Sequence, residues 1–123
     1  MTLGVLIQSE QALKALYEKR FTDGALGYRV LKEIKRFEEE AKKWYEFRNK
    51  LIQETGKQEI KPEDPEWPTI VKRLDESLQV EVERAKVTVP LQELQGMSPK
   101  ELDLLDKLGF IGEVQDAAQE RPQ

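Results

Sequence analysis

The chain has 123 residues, room for one domain with a real core and too few for two. It contains no cysteine and no histidine, which excludes disulfides, thiolate metal sites, cysteine nucleophiles and the commonest general base at neutral pH. A formal net charge of -4, with acids and bases interleaved, argues against nucleic acid as an obligate partner.

Residues 2–7, TLGVLI, form a short apolar run that reads as a strand, although the start of a helix also fits. The opening MTLGVLIQSEQ lacks the basic start and long apolar stretch of a signal peptide. No run nears the roughly 18 apolar residues of a membrane span, so the expectation is a cytoplasmic protein with no membrane partner. Ser9 is placed to cap a helix whose apolar face is Ala12, Leu13, Leu16 and Tyr17, ending near Arg20.

FTDGALG breaks that helix, and Thr22 or Asp23 is a suitable cap for the next. From residue 24 to 55 the spacing predicts one long central helix. Gly27, Val30, Ile34, Phe37, Ala41, Trp44, Arg48 and Leu51 step by three or four and form one stripe. Gly56 ends the helix in the left-handed conformation. A helix of that length spans roughly 48 Å. A compact domain of this size is only about 35 Å across. The helix therefore overhangs its domain unless it kinks, for which Gly24 and Gly27 are the candidate points, and the expectation is a homo-oligomer whose interface includes the stripe.

The loop KQEIKPEDPEWP, residues 57–68, holds three prolines and leads into a helix carrying Ile70, Val71, Leu74 and Leu78. In VEVERAKVTVP, residues 80–90, apolar and polar residues alternate, predicting a strand with a slip at Glu83–Arg84. Its partner is left open: TLGVLI, its own second half, or another subunit. The last helix is well marked. Ser98, Pro99 and Glu101 form a capping box, Leu102, Leu105 and Leu108 make one face, and Gly109 ends it with Phe110 folded back on Leu105. The predicted fold is mainly α with a small β element (α+β): a long central helix, three shorter helices and one or two short strands. One helical domain covers 1–112, and 113–123 is a polar C-terminal tail.

The residues offer little for catalysis. Among the serines Ser9, Ser77 and Ser98, the last reads as a helix cap, and the Glu38–Glu40 run reads as a solvated face. No catalytic residue, metal ligand or cofactor site is predicted, and the chain reads as a non-enzyme. Two singular residues remain. Arg48 puts a permanent charge on the stripe. Either it pairs with a carboxylate such as Glu54 or Glu101, or with a carboxylate of another subunit, or with Trp44 and Tyr45 it lines a groove for an anionic group. Arg29, Lys32 and Arg36 lie further back and join such a site only if two chains pack antiparallel. Trp67, between prolines, either plugs the core or anchors a partner.

The stretches ALKALYEKR, LGYRVLKEIKRFEEEAKKWYEFRNKLIQETG and VEVERAKVTVPLQELQGMSPKELDLLDKLGFI cover most of the chain. In order and spacing they resemble a family of small, uncharacterised bacteriophage proteins found mostly in phages of Gram-positive bacteria. The resemblance implies a phage origin and expression in the cytoplasm of an infected bacterium; it implies no mechanism. The expected function is that of a non-catalytic phage accessory binding protein. Its partner is a host or anti-phage defence component to be inhibited, or a small anionic, nucleotide-like signal to be sequestered. The alternative is a virion structural or assembly protein.

Overall fold

The architecture is taken from a computed structural model, which describes residues 1–111. The expected polar tail, 113–123, lies outside them. Five α-helices follow in order: α1 (Leu3–Gln8), α2 (Glu10–Tyr17), α3 (Gly24–Gln53), α4 (Trp67–Ser77) and α5 (Pro99–Leu108), with a 3-10 turn at Leu91–Leu94. The mainly helical class and the long helix agree with the sequence reading. There are four shorter α-helices among the described residues rather than three, and the β element is reduced to one bridge between Thr2 and Glu81.

TLGVLI is therefore a helix and not a strand. The Thr2 hydroxyl accepts from the Val5 amide at 3.4 Å, which caps α1. The first-turn amides of a helix have no partner within it. Here Leu3 and Gly4 donate to the carbonyls of Val80 and Leu78, at 2.8 and 2.9 Å. Gly4 favours the close approach, because a Cβ there would meet the Leu78 carbonyl oxygen at 3.3 Å, a tight contact. Ser9 does not cap α2. It is fully buried between α1 and α2, and its hydroxyl donates back to the Val5 carbonyl at 2.6 Å.

The predicted strand at 80–90 is an extended strap. Its amides find partners at the ends of other elements instead of along one strand: Val82 donates to Met1, Ala85 to Leu108 and Val89 to Phe110, each at 2.7 Å. A ladder needs a partner running alongside, and helix ends offer single carbonyls. The alternation tracks burial from Val82 onward. Val82 and Val89 are buried, Ala85 and Val87 are half-buried and the polar residues between them are exposed, whereas Val80 departs from it and is exposed. At the expected slip, the Glu83 and Arg84 carbonyls turn toward α3 and accept from Arg36 Nη2 at 3.2 and 3.1 Å.

The caps of α3 and α5 follow the sequence. Asp23 accepts from the Ala25 and Leu26 amides at 2.9 and 3.2 Å, opening α3. Gly56 lies beyond its end at φ 81°. Ser98 and Glu101 exchange capping bonds at 3.1 and 2.8 Å at the start of α5. At its end the Phe110 amide reaches the Leu105 carbonyl and the Gly109 amide reaches Asp106, both at 3.0 Å, which completes a Schellman turn. That turn drives Phe110 into the core, where its ring meets Phe37 edge-on at 6.0 Å.

One core joins α1, α2, the first half of α3, the strap and α5. Its largest members, Phe37 and Phe110, are fully buried. The far half of α3 is covered separately by α4, which runs antiparallel to it: Trp44 reaches Ser77, and Arg73 approaches Glu54. The long helix does not need a second chain to hide its stripe. Leu26, Val30, Ile34, Phe37, Ala41 and Leu51 are all buried within this one. The geometric motive for an oligomer along that stripe falls with this finding. Among the described residues, no helix is long and apolar enough to cross a membrane.

Candidate functional site

Arg48 sits where the two covers of α3 part. Trp44 and Leu51 face α4, while Tyr45, around the helix, reaches toward α2. Tyr45 donates to Glu10 Oε1 at 2.6 Å, and Trp44 Nε1 donates to Ser77 Oγ at 2.8 Å. The Ser77 hydroxyl donates in turn to the Leu74 carbonyl at 2.6 Å. Both aromatic side chains are thus fixed at their polar ends. Their rings meet edge-on at 5.1 Å, and the Arg48 guanidinium carbon stands 5.5 Å from the Tyr45 ring centre.

The Arg48 fork itself is not satisfied. Its Nε is buried without a hydrogen-bond partner, and Nη2 reaches only the neighbouring Asn49 amide oxygen at 3.4 Å. The expected pairing with Glu54 or Glu101 does not occur. Glu54 approaches Arg73 at 3.8 Å, and Glu101 is held by the capping box. Among the described residues, Arg48 makes no ion pair.

Electrostatics bind Tyr45 to its neighbours. Its hydrogen bond to Glu10, then its burial, then the charge of Glu10 push its phenol above the usual value, against a smaller downward pull from Arg48. A neutral, hydrogen-bonded phenol keeps its ring in place beside the guanidinium.

The other predicted site residues do not gather around Arg48. Arg36 is structural: it pairs with Glu33 at 2.8 Å, lies over the Phe37 ring at 4.5 Å and anchors the strap. Arg29 and Lys32 are exposed at the far end of α3, roughly 28 and 24 Å from Arg48 along the helix axis. Trp67 is the first residue of α4 and is half-buried. The loop before it is held by Lys57, which bonds Glu66 at 2.9 Å and approaches Asp64 at 3.5 Å.

Two partners escaped the sequence reading. Glu10 lies 35 positions from Tyr45, and no local spacing announces their bond. Lys86 comes to Arg29 and Lys32 only because the strap lies against α3. Arg48 lies outside the clefts between α2 and α3, of about 330 and 400 Å³, and outside the α3–α4 cleft of about 490 Å³. Among the described residues, no group of three or more acidic side chains is arranged to hold a metal ion. No protein-family model, curated protein or solved structure matches the chain.

Proposed function

We propose that this is a non-catalytic accessory protein that binds a protein partner through Arg48 and the fixed rings of Trp44 and Tyr45. The observation that carries the reading is the Arg48 guanidinium on the helix stripe without an ion pair among the described residues. Arg36 Nε is likewise buried without a partner, but Arg36 pairs with Glu33 and two carbonyls through Nη2. Burying Nε without an acceptor costs stability. A partner's carboxylate would satisfy it, and the neighbouring aromatic rings are the side chains that favour protein interfaces. Small-molecule sites are concave and bury most of their ligand. Arg48 lies outside the clefts just described, so the patch fits a protein surface better than a sequestered signal.

The resemblance to small phage proteins makes a host or defence protein the partner to test, in the cytoplasm of an infected bacterium. A homo-oligomer remains part of the proposal. A sedimentation mass equal to a single chain of 14.3 kDa removes that element. A photo-crosslinking residue at Phe47, next to Arg48, tests the binding reading in host extract. The expected result is one protein captured by the natural chain and lost with Arg48→Ala. Capture that ignores Arg48→Ala overturns the assignment of the patch.

A further inference from the structure

A second site lies at the other end of α3. The strap crosses the helix there, held by the Glu33–Arg36 pair. It leaves a cleft of about 160 Å³ lined by Arg29, Lys32, Glu33, Lys86 and Val87. Glu33 is the acid in this lining, and its charge is already spent. It accepts from Arg36 at 2.8 Å and from the Lys86 amide at 3.1 Å. Burial raises its pKa, yet these bonds and the charges of Arg36 and Lys86 outweigh burial and hold the carboxyl below its usual value.

The cations are free by comparison. Among the described residues, Arg29 and Lys32 form no ion pair, and the Lys32 ammonium rests 5.8 Å from the Tyr28 ring centre. Lys86 approaches only Glu83, at 3.6 Å, and both side chains are about two-thirds exposed or more. Such a pair contributes little. Three cations therefore converge on a small hollow in a chain whose net charge is -4.

We propose that this cleft binds the phosphate group of a small phosphorylated ligand. A doubly charged tetrahedral anion relieves the repulsion among Arg29, Lys32 and Lys86. The arginine fork donates hydrogen bonds to two of its oxygens, and the lysines act as point charges. Sites that enclose a whole small molecule have volumes of about 300–1,000 Å³. A hollow about half the lower limit takes the phosphate and leaves the organic part on the surface. The site is separate from the Arg48 patch and does not rest on it.

The full chain is titrated in Hepes at low ionic strength with inorganic phosphate and, in parallel, with adenosine 5′-monophosphate. Amide chemical shifts report binding. Saturable shifts at residues 29, 32 and 86 are expected, with a dissociation constant on the order of 1 mM. Arg29→Gln and Lys86→Gln should each weaken binding about tenfold, and Arg48→Ala should leave it unchanged. All three cations are exposed, so a circular dichroism spectrum like that of the natural chain confirms that the variants fold. Affinity for the nucleotide about tenfold above that for phosphate identifies an organic phosphate ligand. Equal affinities identify the free ion. Absence of saturable shifts at about 20 mM, or shifts that survive in an Arg29→Gln/Lys32→Gln double variant, overturns the proposal.

Discussion

Tyr45 donates a 2.6 Å hydrogen bond to Glu10 and so joins the far half of α3 to the first turn of α2. The bond does two things. It ties the overhanging part of the long helix back to the core, and it holds the ring that faces Arg48. A tyrosine in an unfolded chain ionises near pH 10. The folded phenol keeps its proton to higher pH, so its contribution is complete below pH 10 and is lost as pH rises through the folded value.

This gives a direct spectroscopic prediction. The tyrosinate absorbance of the Glu10→Ala variant should complete its rise at lower pH than that of the natural chain. Coincident curves would show that the bond does not persist in solution.

Arg36 should matter for stability rather than for binding. It supplies donors to two strap carbonyls and to Glu33, and it packs on Phe37. All three bonds come from Nη2 at the far end of the side chain, which the shorter lysine does not reach, and an ammonium does not present a flat face to Phe37. Arg36→Lys is expected to lose about 1–2 kcal/mol in urea unfolding. Glu33 adds a pH signature. Its folded pKa lies below the ordinary 4.5, so its contribution is present above that value and lost as pH falls through the folded one. With Arg36→Lys that acid-side loss should become smaller. An unchanged unfolding midpoint and acid slope would remove the strap-anchor role.

Glycine substitutions separate the strained turn from an open one. Gly109 has φ 101°, and a Cβ there would lie 2.9 Å from the Ala85 amide nitrogen and the Arg84 Cβ. Gly109→Ala is expected to destabilise by about 1–3 kcal/mol. Gly24, at the start of α3, has nothing within 4 Å of that position. Gly24→Ala should be neutral or stabilise by up to about 1 kcal/mol. Thermal unfolding of the two variants checks both, and equal midpoints would contradict the turn geometry.

Elements whose signals are local could be read from the sequence. α5 announces itself through Ser98, Glu101 and Gly109, and α3 through its stripe and Asp23. Both were placed within two residues of their ends. The strap misled because its alternation is real while its hydrogen bonds go to Met1, Leu108 and Phe110, three points far apart in the chain. α1 misled because six apolar or small residues fit strand and helix alike until Thr2 and the Leu78 and Val80 carbonyls supply its start. The Arg48 patch was legible as a charge on a stripe. Its lack of a carboxylate partner was not, since that depends on where Glu54 and Glu101 are held.

The central claim is that Arg48 is kept for recognition and not for the fold. Its guanidinium makes no ion pair among the described residues and its Nε is buried without a partner. Methionine keeps a stem of similar shape and removes the charge. The most direct measurement is the urea unfolding free energy of Arg48→Met against the natural chain. The account predicts equal or greater stability, and a loss of more than about 1 kcal/mol would contradict it.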